Sequence, residues 1–124
     1  MPGLQTLNFL LPTADGRRFY AALETAIALS ALGRTVRLFL QGEAAALLRE
    51  PIEHGGDAMR AAAGQPELAW MVEEARAMGV TIAVCQSGMA LVGLAATDID
   101  AAFRPTGLIS FLADIGPGDS LLVY

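Results

Sequence analysis

Short apolar runs alternate with stretches of helical period along this chain. Leu4 to Leu11 is mostly apolar and suits a central strand buried on both faces. Pro12 ends it, and Thr13-Ala14-Asp15-Gly16 forms a loop in which Asp15 can cap a helix. Phe19, Leu23, Ala26, Ile27 and Ser30 share one face of a helix predicted from Arg17 to Leu32, and Gly33 stops it. Thr35 to Leu40 is the second strand. Strand, helix and strand of this length make a βαβ unit. Gln41-Gly42-Glu43 turns the chain, and a short helix from Ala44 to Arg49 ends before Pro51.

Ile52 to Gln65 is the least patterned stretch, with three glycines, and reads as a long loop that is a lid or mobile. Pro66 opens the next helix. Its stripe is Leu68, Met71, Val72, Ala75 and Met78, which is core, and Gly79 closes it. Val80 to Val84 is a β-branched, apolar third strand. An apolar helical pattern begins at Met89. After the polar break Thr97 to Asp100, Ala101 to Arg104 is a brief edge strand. Thr106 caps a last helix bearing Leu108, Ile109, Phe111, Leu112 and Ile115. Ser120 to Tyr124 is the final strand. The pattern predicts one α/β domain over 1–124. It is a three-layer α/β/α sandwich around a mostly parallel sheet of four to five strands, of flavodoxin-like type.

The only cysteine, Cys85, stands at the first position after the third strand, followed by Gln86, Ser87 and Gly88. Ligands of open α/β sheets bind at that end of the strands. A helix starting there points free N–H groups at the sulfur, and its dipole favours a thiolate. The competing reading is a small buried hydrophobe. Polar candidates at the strand ends are Thr13, Gln41, Gln86 and Ser87, with Gly88 allowing a close turn. Arg17 and Arg18 lie in a first helical turn, where the dipole disfavours cations. They read as solvated, or as an anion or partner contact. His54, in the glycine-containing loop, reads as a surface residue. It could pair with Cys85 only if that loop folds over the sheet end.

Composition narrows the classes. A net charge of −5 and a low pI argue against a nucleic-acid partner. One cysteine makes no intrachain disulfide and excludes Cys-x-x-Cys dithiol chemistry, which fits a reducing, cytoplasmic setting. No signal peptide is expected. Residues 77–97 carry no charge, but Gln86, Ser87 and glycines interrupt them, so a buried strand and helix are expected rather than a membrane span. No phosphate-cradling glycine motif and no metal cluster stand out, and no cofactor is expected. With 54% hydrophobic residues, the chain is expected to bury surface against copies of itself.

The run Gly79-Val80-Thr81-Ile82-Ala83-Val84-Cys85-Gln86-Ser87-Gly88-Met89, with Val92-Gly93-Leu94, resembles the DsrE/DsrF-like sulfur-relay family, in its single-cysteine branch. Thr106-Gly107-Leu108 to Phe111-Leu112 and the terminal Leu121 to Tyr124 fit its ending. Gly88 stands where that pattern has Ser, and Val92 where Met is common. The resemblance implies a homotrimer or homohexamer. It also implies a sulfurtransferase-type persulfide carrier that takes sulfane sulfur from a small carrier protein or a rhodanese-like donor through Cys85. Two other readings stay open. One is a non-catalytic oligomeric binding or scaffold domain with a structural cysteine. The other is a small-molecule or nucleotide binder at the strand ends, with Thr13, Gln41 and Gln86 as polar contacts.

Overall fold

The structure, a computed structural model, describes residues 5–124. Leu4, expected to open the first strand, lies outside them. Five strands form the sheet: β1 (Thr6–Leu11), β2 (Thr35–Leu40), β3 (Thr81–Cys85), β4 (Arg104–Thr106) and β5 (Ser120–Val123). Their order is β4-β3-β2-β1-β5, and every neighbouring pair is parallel. The helices are α1 (Gly16–Ala31), α2 (Asp57–Ala62), α3 (Leu68–Ala77), α4 (Gln86–Leu91) and α5 (Leu108–Ala113). A 3-10 segment covers Gly42–Leu48.

Alternation along the strands divides the sheet into two faces. Phe9, Leu11, Val36, Leu38, Leu40, Ile82 and Val84 point into the larger core. They meet Phe19, Leu23 and Ala26 of α1 and Leu68, Val72 and Ala75 of α3. Each fully buried Leu or Phe there contributes about 1.5–3 kcal/mol. The opposite face carries Leu10, Phe39, Ala83 and Cys85 under α5, whose Phe111 stacks on Phe39 with ring centroids 5.0 Å apart. This is the α/β/α arrangement expected, with one thick helical layer and one thin one.

Asp15 caps α1 as its sequence position predicts, accepting the N–H groups of Arg17 and Arg18. Three expectations need correction. The stretch Ile52 to Gln65 is not a bare loop, because α2 forms inside it. The Asp57 carboxylate accepts the N–H groups of His54, three residues before it, and of Leu68, eleven residues after it, and these ties hold the short helix. The fourth strand lies later than expected, at Arg104–Thr106. Asp100 holds Ala101 and Ala102 in a turn by accepting from Ala102 N–H through its side chain and from Phe103 N–H through its carbonyl. Pro105 is tolerated because β4 is an edge strand. Thr106 does not cap α5. It is paired with Cys85 in the sheet, and Gly107 holds the cap position without a side-chain bond.

Candidate functional site

β3 ends in the Cys85 thiol, and α4 starts at the next residue. No spacer residue separates strand from helix, so the thiol itself takes the N-cap role. The Gly88 N–H donates to Cys85 Sγ at 3.3 Å, and the Ser87 hydroxyl lies 3.2 Å from the same sulfur. The third contact comes from another part of the chain. The 3-10 segment after β2 packs against α4, and the backbone N–H of its Gly42 lies near enough to favour the charged form of the sulfur. That approach requires both glycines. Gly42 adopts a φ of +58°, in the left-handed region, and Gly88 lies so close to the Gly42 carbonyl that it has no room for a Cβ.

Burial pushes the Cys85 thiol up, because it penalises a charged sulfur. The Ser87 hydroxyl and the N–H groups of Gly42, Gly88 and Ser87 act the other way, and the net shift is down from the ordinary thiol value. The sulfur also has an apolar flank of Phe39, Ala83 and Phe111, and the residue is only 5% exposed. An inert packing thiol has apolar neighbours on all sides. This one has a polar cradle on one side and narrow access.

The other residues singled out from sequence separate into groups. Ser87 and Gly88 contact the thiol. Gln86 opens α4 with its side chain exposed. Gln41, at the end of β2, bonds its N–H to the Leu11 carbonyl and precedes the Gly42 turn. Thr13 is exposed and lines a wide cavity with Asp15, Arg18, Glu43 and Tyr124, which none of Gln41, Cys85, Gln86, Ser87 and Gly88 lines. His54 forms no dyad with the thiol. Its ring packs against Gly16 at the start of α1 and against Gly56. Among the described residues no group of three or more His, Cys, Asp or Glu could hold a metal ion. None of the described helices is long and apolar enough to cross a membrane.

Sequence reasoning missed two features. Gly42 joins the thiol through a long-range approach, and only its glycine identity after a strand hinted at it. The Asn8–Arg37 pair is the other. Asn8, fully buried, accepts from Arg37 Nη1 at 2.7 Å and donates to the Ser120 carbonyl. Arg37 donates to the Phe111 carbonyl and lies over its ring, which seats α5 on the sheet beside Cys85. Arg37 in an otherwise apolar strand was the available signal.

The fold is shared with solved structures of low sequence similarity. The ychN protein from E. coli matches with a TM-score of 0.76 at 16% identity, covering 98% of this chain and 100% of that one. A conserved protein of unknown function from Bacteroides thetaiotaomicron matches with a TM-score of 0.69 at 17% identity, covering 97% and 95%. No curated protein sequence matches the chain. A sequence profile of the DsrE/DsrF-like family matches residues 9–124, nearly the whole chain, with the Cys85 turn inside the match. The chain therefore belongs to the DsrE/DsrF-like family.

Proposed function

We propose that this protein is a sulfur-relay protein whose Cys85 accepts sulfane sulfur as a persulfide and passes it on. The observation that carries the reading is the polar cradle of the sulfur: Gly88 N–H at 3.3 Å, the Ser87 hydroxyl at 3.2 Å, and the Gly42 N–H. Such donors favour the thiolate, which is the nucleophile. In the loading step the Cys85 thiolate attacks the outer sulfur of a donor persulfide R–S–SH. A new S–S bond forms on Cys85, the donor S–S bond breaks, and the donor leaves as the thiolate R–S⁻. Transfer onward is the same step in reverse with an acceptor thiol. No general base is needed for this exchange, which suits a site without a neighbouring histidine.

Family membership supports a sulfur-relay role at the level of the family. The donor and acceptor proposed are proteins, a small sulfur carrier or a rhodanese-like enzyme. Ser87 and Gly88 belong to the proposed site. Gln86 and Gln41 form its rim, and Thr13 contributes a separate exposed contact. The reading treats residues 1–124 as one DsrE/F-like domain and takes the cytoplasm as its compartment, on the lone free cysteine. We also propose a homotrimer or homohexamer. Leu121 is 46% and Val123 65% exposed on the edge strand β5, and Ile109 of α5 is 85% exposed. An open apolar sheet edge of this kind favours association.

A second reading has one observation in its favour. At 5% exposure Cys85 is nearly closed, as a structural cysteine in a non-catalytic oligomeric domain would be. Intact-mass analysis after incubation with glutathione persulfide separates the two. Uptake of one sulfur atom, lost in Cys85→Ser, supports the carrier. No uptake by the native protein overturns it.

A further inference from the structure

A second site lies away from the thiol, where α1 starts. The first turn of α1 and the turn leading into α2 enclose a groove of about 470 Å³, lined by Arg17, His54, Gly55, Gly56, Met59 and Arg60. That volume is in the range of small-ligand sites. We propose that this groove binds a phosphate group, most favourably that of a small phosphomonoester, on Arg17, Arg60 and His54.

The charge pattern carries the inference. The protein as a whole is acidic, with a net charge of −5, yet no carboxylate lines this groove. Glu53 adjoins His54 in sequence but is exposed and does not line the groove, and the other two acids near it in sequence are committed elsewhere. Asp15 caps α1 and pairs with Arg18 at 3.5 Å. Asp57 accepts from the N–H groups of His54 and Leu68. Among the described residues, neither Arg17 nor Arg60 has a carboxylate within 4.0 Å. Arg17 also stands in the first turn of a 16-residue helix, where the dipole disfavours a cation. An anion seated in the groove would relieve both effects.

Two of the three groups, Arg60 and His54, are held in place before any ligand arrives. The Arg60 guanidinium lies over the Tyr20 ring at 3.3 Å from its centroid and donates to Gln65 Oε1 at 3.0 Å, which fixes its plane. The His54 ring fills a slot that exists because Gly16 and Gly56 have no side chains. A Cβ on Gly56 would meet Nε2 at 2.7 Å, and one on Gly16 would collide with Nδ1. Neither ring nitrogen has a hydrogen-bond partner among the described residues, and the N–H groups of Gly55 and Gly56 are likewise unengaged. The fixed Arg60 guanidinium, the exposed Arg17 guanidinium and the free neighbouring N–H groups suit the oxygens of a phosphate. Met59, 67% exposed, supplies an apolar wall that a bare ion would leave uncovered. That wall favours a phosphomonoester.

The test is calorimetric titration of the full chain with inorganic phosphate and, separately, with phenyl phosphate, at low salt. Arg17→Gln is the informative variant, because Arg17 is exposed and its loss leaves the fold intact. Arg34→Gln, in the turn between the far end of α1 and β2, is the control. Saturable binding is expected in the native protein and in Arg34→Gln, weakened roughly tenfold or more in Arg17→Gln. Tighter binding of phenyl phosphate identifies an organic ligand, and equal affinity identifies the free ion. Absence of saturable binding by both probes overturns the proposal, as does equal binding by Arg17→Gln and the native chain.

Discussion

Gly88, one residue beyond the Ser87 that contacts the thiol, rests against the carbonyl oxygen of Gly42 so closely that a Cβ would overlap it. This contact locks the start of α4 to the turn after β2 and brings two chain segments to one sulfur. Gly88→Ala is therefore expected to destabilise the protein despite the better helix propensity of alanine. The propensity gain is at most about 1 kcal/mol. Overpacking against backbone costs about 1–3 kcal/mol, since a carbonyl cannot rotate away as a side chain can. Denaturant unfolding of the variant checks this: the midpoint should fall, and a rise would show that the contact relaxes freely.

The cradle of donors gives stability a pH dependence. Folded Cys85 has a thiol pKa below its ordinary value, where the unfolded chain sits at about 8.5. Between the two, the unfolded state holds a proton that the folded state has released, so stability rises with pH. The contribution is complete above the unfolded value and is lost as pH falls through the folded one. The stability difference between the native protein and Cys85→Ser should therefore grow in favour of the native protein as pH climbs toward 8.5. Unfolding curves across that range measure it, and a flat difference would contradict the depressed thiol.

Arg37→Ala removes the donor to the buried side-chain amide oxygen (Oδ1) of Asn8 and the stack on Phe111. A buried acceptor left unpaired costs about 1–3 kcal/mol. Asn8→Ala in the Arg37→Ala background should then cost less than Asn8→Ala alone, because the pair acts as a unit. A double-mutant cycle by thermal or denaturant unfolding reads the coupling directly.

The exposed edge at β5 gives a separate expectation. Val123→Lys sets a charge on the open strand and should shift the protein toward monomers in sedimentation experiments. An unchanged sedimentation coefficient would move the proposed association surface elsewhere.

Much of the site was readable from local sequence, because local signals create it. Gly79 and the β-branched run to Val84 announce a strand, and Cys85, Ser87 and Gly88 meet because they are neighbours in a tight turn. What was not readable depends on long-range contact. Gly42 reaches Cys85 across 43 residues of chain, and no local pattern encodes that distance. α2 is held by Asp57 bonding to the Leu68 N–H, eleven residues away, so its own glycine-flanked sequence reads as loop. The shift of β4 to Arg104–Thr106 follows from a side-chain bond of Asp100 that outcompetes strand pairing at Ala101 and Ala102. The βαβ unit, by contrast, follows from hydrophobic periodicity alone, and its Phe19, Leu23 and Ala26 stripe is buried as that periodicity demands.

The central claim is that Cys85 carries sulfur, and mass decides it most directly. Native protein and Cys85→Ser are incubated with glutathione persulfide, desalted and weighed intact. Cys85→Ser should remain folded, costing about 1 kcal/mol, because a hydroxyl can accept the Gly88 N–H that the sulfur accepts. The account predicts that the native protein gains the mass of one sulfur atom, which a thiol reductant removes, while folded Cys85→Ser gains none. A native protein that never gains sulfur, paired with a Cys85→Ser variant that is markedly destabilised, would show that the thiol is packing and contradict the account.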